Sequence, residues 1–253
     1  MEIYLSVIVA AYNEAENLET LVREISHTMA NLGKHWEIII VNDASTDESL
    51  SILSRLMTEY PQLRVFSHLS RFGQTAGLDT GFRVARGRYL ATLDADLQND
   101  PTDIPRLLEA VESGKCDLAN GWRKNRQDPW IRKISTNIAN DIRNRLTHEN
   151  IHDSASGLKV FHKECIERIK MFNGMHRFLP TLVKLEGYRV MEIPVRHHPR
   201  LAGKSKYGVS NRLFRALRDT FAVRWMQSRV IRPQFEELEV QEDVATESAG
   251  NNR

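Results

Sequence analysis

The sequence predicts an α/β fold: a mostly parallel central sheet with helices on both faces and an amphipathic helix near the C-terminus. Three observations lead there. Short, fully apolar β-rich runs recur through the first half, amphipathic helix-length segments separate them, and acidic or amide residues follow several runs directly. Strands buried on both faces read as continuous Val/Ile/Leu runs, and their alternation with helices marks crossover connections in a parallel sheet.

Taken in order, Ile3–Ala10 reads as a strand, and Asn13 with Glu16 stands at capping-box spacing for a helix to about Ala30. Trp36–Val41 is a second strand, with Ser45 and Glu48 spaced as a second capping box for a helix to about Glu59. Leu63–Ser67 is a third strand and Thr75–Ala85 a third helix. Arg88–Leu93 is a fourth strand with its helix over Pro101–Ser113, and Asp117–Gly121 is a fifth. Beyond it the pattern is less regular: a helix over Trp130–Leu146, a strand at Leu158–Phe161, a helix at Arg177–Glu186, and a strand at Tyr188–Val195. A loop over His197–Val209 and a last helix over Ser210–Ser228 follow. The expected organisation is a unit over 1–209 with halves 1–121 and 122–209, a helical appendage at 210–232 and a tail at 233–253.

With 253 residues and 41% hydrophobic composition, the chain can bury a full core. Cys116 and Cys165 lack metal-ligand spacing, which suits a reducing cytosol. The N-terminus shows no basic region with a cleavage site, so no signal peptide is expected, and no apolar run approaches the ~18 residues of a membrane span. The tail from Pro233 holds six acids and one arginine and reads as disordered; setting aside its net −5 from the total of +2 leaves a body at +7. A basic body suits an anionic partner such as a phosphate or a membrane surface. Nucleic acid is disfavoured because no RNA- or DNA-binding motif is present.

Ligands of parallel sheets bind beyond the carboxyl ends of the strands. After the fourth strand comes Asp94-Ala95-Asp96-Leu97-Gln98, followed by Asp100. Two carboxylates emerging together make a hard-oxygen site for Mg²⁺ or Mn²⁺, which bind carboxylates together with substrate phosphates. A D-x-D at a strand end is the usual clamp for the diphosphate of a nucleotide-sugar; the plain alternative is a solvated turn. After the first strand comes Ala11-Tyr12-Asn13-Glu14, and after the second Asn42-Asp43-Ala44-Ser45-Thr46-Asp47. Tyr12 is placed to lie against a nucleobase and Asp43 to accept from base N–H groups; the alternatives are a rim aromatic and a helix cap. Arg71-Phe72-Gly73-Gln74 is similarly placed after the third strand, where Gln74 is either a ligand contact or only a helix start. Arg200-Leu201-Ala202-Gly203-Lys204-Ser205-Lys206 has a glycine for tight turning and three cations, which suits phosphate, or else a solvated basic loop.

The segments LSVIVAAYNEAENL, WEIIIVNDASTDES, RFGQTAGLDTGFRVARGRYLATLDADLQNDP and RLAGKSKYG, in order over residues 3–229, resemble family 2 glycosyltransferases. Within them the chain is similar to polyprenyl-phosphate sugar transferases of the dolichol-phosphate mannose synthase kind. The resemblance implies the nucleotide-diphospho-sugar transferase fold, an αβα sandwich. It implies that Tyr12, Glu14 and Asp43 hold the nucleoside, with Ala10, Gln74, Asp94 and Lys206 also in the donor site; many relatives have proline at position 10. Asp94 is expected at the ribose or sugar close to the metal, with Asp96 and Gln98 as metal ligands. Arg123 is expected to reach the phosphates, and Arg132 the acceptor phosphate, with Lys133 leaving that register open by one. Arg200, Ser205 and Lys206 are expected to close over the diphosphate and acceptor phosphate. Asp153 matches an acidic position ahead of the central strand.

The implied reaction is an inverting displacement: the oxygen of a polyprenyl (dolichyl or undecaprenyl) phosphate attacks the anomeric carbon of a GDP- or UDP-sugar, mannose or glucose being the expected hexoses. A phosphate monoester is largely deprotonated at pH 7, so no strong base is needed, and His68, His176, His197 and His198 are read as structural. A saccharide hydroxyl acceptor in cell-envelope polysaccharide synthesis, or a non-catalytic nucleotide-sugar-binding subunit of a membrane complex, are the competing readings. In the last helix Leu213, Leu217, Phe221 and Trp225 form one stripe beside Arg212, Arg215, Arg218, Arg224 and Arg229. That pattern suits an interfacial helix on anionic lipid, with packing on the protein's own core as the alternative. The expected location is therefore peripheral, on the cytoplasmic face of a membrane, with an integral membrane protein as a further candidate partner.

Overall fold

In a computed structural model of the chain, residues 2–124, 144–147, 149–199 and 209–231 are described, with side chains from 217 onward in the last segment. The apolar run Leu5–Ala11 forms β1, which pairs in parallel with β2 (Trp36–Asn42) on one side and β4 (Tyr89–Asp94) on the other. The sheet has seven strands in the order β3-β2-β1-β4-β6-β5-β7, where β3 is Leu63–Ser67, β5 Leu118–Trp122, β6 Lys159–His162 and β7 Val190–Pro194. From β3 at one edge the chain crosses back to β4 on the far side of β1. The winding therefore reverses between β1 and β4, which opens a crevice at their carboxyl ends.

The sheet is mixed. Strand β6 runs antiparallel to both β4 and β5, so its first residue, Lys159, opposite Thr92 and Asn120, starts near the rim where β4 and β5 end. Strand β7 extends β5 in parallel.

Alternation along the strands feeds two apolar layers. Leu5, Val7 and Val9 pack with Leu18, Leu21 and Ile25 of α1 (Ala15–Ala30), Leu53 and Leu56 of α2 (Ser49–Glu59), and Leu107 and Leu108 of α4 (Ile104–Glu112). On the other face Ile8, Leu90 and Phe161 pack with Leu78 and Phe82 of α3 (Gln74–Val84) and with Leu179 and Val183 of α6 (Leu179–Leu185). Each such side chain contributes about 1.5–3 kcal/mol when buried. Helix α5 (Glu164–Glu167) is one turn. The expected helices at Pro101–Ser113 and Arg177–Glu186 each begin with a 3-10 turn, at Pro101–Asp103 and Met175–Phe178. Most of the expected Trp130–Leu146 helix lies outside the described residues.

Helix α3 sits unusually close to β1. A Cβ on Gly77 would come within 2.7 Å of the Ala10 Cβ, and one on Gly81 within 2.3 Å of Ile8 Cγ2. Glycines one turn apart thus let the helix rest on the strand and bring Gln74 over the crevice.

Neither predicted capping box forms. Helices α1 and α2 start after Glu14 and Glu48 without side-chain caps. Asn13 and Ser45 instead satisfy each other's loops: the Asn13 N–H donates to Ser45 Oγ at 2.9 Å and the Thr46 N–H to Asn13 Oδ1 at 2.8 Å. The last helix, α7 (Val209–Ser228), buries Thr220 and Val223, with Val223 against Met175, Phe178 and Leu182. Phe221 and Trp225 of the predicted stripe remain 58% and 64% exposed, so they are not core residues.

Candidate functional site

The three parallel strands at the sheet's centre end in the same way. Asn13 follows β1 with φ 52°, Ala44 follows β2 with φ 55°, and Leu97 follows β4 with φ 57°. Non-glycine residues in the left-handed region cost about 1–3 kcal/mol each and cluster at functional sites. Leu97 is held there by its buried side chain, which packs into the core between Asp96 and Gln98.

At the β2 end the acids serve the loops. Asp43 is buried and accepts from the His68 ring at 2.8 Å, the Phe72 N–H at 2.8 Å and the Gly73 N–H at 2.7 Å. Burial works to raise its pKa but is outweighed by these donors, which hold it below the usual carboxylate range. His68 also contacts Thr80 Oγ1 at 3.0 Å, so both of its ring nitrogens have partners within the fold. Asp47 accepts from the Ser49 and Ala15 N–H groups at 3.0 and 3.2 Å, and these contacts likewise overcome burial and hold its pKa down. Asp43 is thus neither a helix cap nor, in this structure, a carboxylate turned to the crevice; it fixes the 68–73 loop. That loop lays the Arg71 guanidinium 4.0 Å from the centre of the Tyr12 ring. Glu14 accepts from Asn17 Nδ2 at 2.7 Å.

The β4 end is different. Asp94 stands beside Ala10 in the sheet and accepts from Gln74 Nε2 at 2.8 Å. Its other oxygen lies so close to Gly157 that a Cβ there would come within 2.3 Å. Burial, followed by the Asp96 carboxylate, pushes the Asp94 pKa up against the pull of Arg123, Lys159 and Gln74. The Gln98 N–H donates to Asp96 Oδ1 at 3.3 Å, and the Gln98 carbonyl accepts from the His198 N–H at 2.9 Å. Asn99 bridges to His197, and Asp100 pairs with Arg196 at 3.0 Å and His198 at 3.4 Å. The turn bearing Asp96 and Gln98 is therefore tied to the strand leading into the 200–206 segment.

This donor set fits a divalent cation. Two carboxylates repel across a tight turn that also carries the Gln98 amide, and carboxylate and amide oxygens are the donors a hard cation takes. Asp96 and Gln98, with Asp94 close beside them, are the residues that would hold Mg²⁺ or Mn²⁺, hard cations suited to oxygen donors. Among the described residues no group of three His, Cys, Asp or Glu has metal-binding geometry.

Arg123 forms a buried bidentate pair with Asp153, Nε to Oδ2 at 2.7 Å and Nη2 to Oδ1 at 2.8 Å. The expectation that it extends to a phosphate meets a guanidinium already engaged by an acid. Glu192 braces that acid by accepting from the Asp153 and His152 N–H groups at 2.9 and 2.8 Å. Between this pair and Asp94 lies Lys159, 3% exposed, its Nζ donating to the Ser156 carbonyl. Burial pulls its pKa down to about 8, with Asp94 and Asp153 opposing. His176 bonds Thr75 Oγ1 at 2.7 Å, and burial, then Arg177 and Lys159, take its pKa down to about 3, so the ring is neutral near pH 7.

Of the residues expected from sequence, the structure brings Ala10, Gln74, Asp94, Asp96 and Gln98 together, sets Tyr12, Glu14 and Asp43 along the adjoining rim, and places Arg123 behind Lys159. Arg132, Arg200, Ser205 and Lys206 lie outside the described residues. Lys159, Gly157 and Glu192 were missed; the one available signal was a lysine inside the apolar run Leu158–Phe161.

Comparison with known proteins agrees with this geometry. Residues 6–170 match the family model "Glycosyl transferase family 2". The dodecaprenyl-phosphate galacturonate synthase of Rhizobium johnstonii is 39% identical over 233 residues, 90% of this chain and 69% of that protein. The undecaprenyl-phosphate 4-deoxy-4-formamido-L-arabinose transferase of Edwardsiella ictaluri is 35% identical over 81% of this chain, which spans only 63% of the relative's length. Among solved structures, the mannosyltransferase of Pyrobaculum calidifontis in complex with GDP-Man and Mn²⁺ superposes with TM-score 0.63 at 20% identity, covering 90% of this chain and 64% of that one. Glucosyl-3-phosphoglycerate synthase of Mycobacterium tuberculosis with Mn²⁺ and UDP-glucose gives 0.66 at 15% identity, covering 91% and 80%. At these identities the two structures establish the shared fold. The sequence match over most of its length establishes the rest: this chain belongs to glycosyl transferase family 2.

Proposed function

We propose that the chain transfers a glycosyl group from a nucleotide-sugar to a polyprenyl phosphate. The observation that carries this reading is the pairing of the Asp94/Asp96/Gln98 turn, at the β1/β4 crevice, with a sequence similar over 90% of its length to a polyprenyl-phosphate sugar synthase. The relatives' names span a uronic acid and an amino-pentose, so the donor is proposed as a class wider than the mannose or glucose expected from sequence.

Asp94, fixed by Gln74 and Gly157, accepts from donor hydroxyls, while Asp96 and Gln98 would hold the divalent cation. Tyr12 and Arg71 offer a stacked pair beside the base, and Asp43 acts through the loop it holds. When bound, the cation neutralises the charge that develops on the leaving nucleoside diphosphate. A phosphate oxygen of the lipid forms the new bond to the anomeric carbon as the bond to the diphosphate breaks, with inversion. The nucleophile needs no base because it is already deprotonated, which agrees with the structural duties of His68 and His176. Arg123, Arg132, Arg200, Ser205 and Lys206 remain the proposed phosphate contacts. Of these, Arg123 would use N–H groups beyond the two given to Asp153, since a guanidinium carries five.

The acceptor lies at a membrane, and no helix among the described residues is long and apolar enough to cross one. Docking by α7 is proposed: exposed Phe221 and Trp225 stand beside Arg218, Arg224 and Arg229, and each cation near anionic lipid is worth about 1 kcal/mol. Flotation with anionic vesicles is expected to carry the protein up, and Phe221→Ser with Trp225→Ser to leave it at the bottom; equal flotation of both would remove this part.

The test of the reaction is incubation with undecaprenyl phosphate, Mn²⁺ and a panel of GDP- and UDP-sugars that includes hexoses, a galacturonate and a formamido-pentose donor. Nucleoside diphosphate release that depends on the lipid phosphate, with a sugar-phosphate-lipid product, is expected. Transfer to a saccharide hydroxyl without lipid phosphate would overturn the proposal.

A further inference from the structure

A lysine is an unusual choice for the inside of a sheet. Lys159 opens β6 between Leu158 and Val160, both fully buried, and its backbone sits opposite Thr92 of β4 and Asn120 of β5. Burying an ammonium is unfavourable unless partners compensate it, and an apolar side chain of similar volume is often as stable or more so. The ammonium donates to the Ser156 carbonyl, and the charges of Asp94 and Asp153, beyond ion-pair distance, act on it through space. Antiparallel pairing of β4 with β6 ends at Thr92–Lys159, and just beyond it the Thr92 hydroxyl donates to the Gly157 carbonyl at 2.7 Å. Gly157 leaves no room beside the Asp94 carboxylate. Asp94 is thus held between Gly157 and Gln74, while Asp153, at the other end of the same turn, holds Arg123.

We propose that Lys159 is a positioning residue for glycosyl transfer: by holding the Ser156 carbonyl, its buried ammonium fixes the turn that runs from Asp153 to Gly157 and seats Asp94. The inference rests on the proposed transferase reading. Lys159 touches neither substrate nor cation; it acts by keeping the two acids at one separation, so that donor and phosphate contacts stay in register. Its removal frees the turn and takes away a positive charge that acts on Asp94. The loss then appears in turnover more than in cation binding, which depends on Asp96 and Gln98.

The test uses the full chain with Lys159→Met, Lys159→Arg, Gly157→Ala and Asp96→Asn. Mn²⁺ alone is titrated by electron paramagnetic resonance, kcat and donor KM are measured with lipid phosphate, and urea unfolding is followed without ligand. Lys159→Met is expected to keep its Mn²⁺ Kd within threefold and to lose about a hundredfold in kcat with donor KM changed less, while Lys159→Arg recovers to within about fivefold. In urea, adding Asp94→Asn to Lys159→Met is expected to raise the unfolding midpoint above that of Lys159→Met alone, because the stranded acid is gone. Should Lys159→Met fail to fold, Gly157→Ala, which displaces Asp94 from the other side, carries the same expectations for Mn²⁺ and kcat. Wild-type turnover in Lys159→Met, additive unfolding midpoints, or a Mn²⁺ Kd weakened as much as in Asp96→Asn would each overturn the proposal. If the wild type transfers no sugar from any donor, the transferase reading fails, and the Mn²⁺ and unfolding measurements still decide whether Lys159 is coupled to Asp94.

Discussion

The acids at the ends of β2 and β4 are the same chemical group at equivalent places in one sheet, yet they do opposite work. Asp43 and Asp47 are wrapped by backbone N–H groups, which hold their pKa values down and make each carboxylate part of a loop. Asp94 accepts from a side-chain amide, faces a second carboxylate, and is pushed up by burial and that neighbour. A carboxylate satisfied by its own backbone is finished structure. One pushed up by burial and a neighbouring carboxylate is a perturbed group, and groups of that kind mark functional sites.

The contrast can be broken at either end. The largest effect is expected at β4: Asp96→Asn should lower turnover by about a thousandfold or more, and a chelator should abolish it, with thermal stability little changed. Sugar-lipid formation with and without EDTA checks this. At β2 the effect should fall on folding. Asp43→Ala strands two buried N–H groups and the His68 ring, and is expected to cost about 3–5 kcal/mol in urea unfolding. Gly81→Ala forces the Ile8 side chain or α3 to move and should cost about 1–3 kcal/mol by the same measurement, with a further loss of turnover because Gln74 shifts with the helix.

The smallest effect is a pH dependence. His176 is held neutral in the fold, its pKa taken down to about 3 from a reference near 6.5. The unfolded chain therefore binds more protons between those values, and stability is full above pH 6.5 and falls as pH drops toward 3. His176→Phe should flatten the stability curve between pH 6.5 and 4, above the range where Asp43 and Asp47 take up protons. An unchanged slope in the variant would place the acid loss elsewhere.

What was legible in the sequence was whatever depends on local pattern. The apolar runs before Tyr12, Asp43 and Asp94 announce buried parallel strands, and a turn rich in Asp and Gln at their ends announces the site. The direction of β6 was not legible, because four residues cannot show whether the chain enters them from the rim or from below. The capping boxes failed for a related reason: Asn13 and Ser45 have the right spacing for local caps, but the neighbouring strand end offers each a better partner across the sheet. Lys159 was invisible as a site residue because its meaning comes from lying opposite Thr92, beneath an aspartate distant in sequence. Non-local pairing decides each of these, and composition carries no trace of it.

The most direct test of the division between the two strand ends is a Mn²⁺ titration of wild type, Asp96→Asn and Asp43→Asn, each confirmed folded by circular dichroism. Asp43→Asn should bind Mn²⁺ like the wild type while unfolding at lower urea, and Asp96→Asn should unfold like the wild type while its Mn²⁺ affinity falls at least thirtyfold, by about 2 kcal/mol or more. Wild-type Mn²⁺ binding by Asp96→Asn, or loss of binding in a folded Asp43→Asn, would contradict the account.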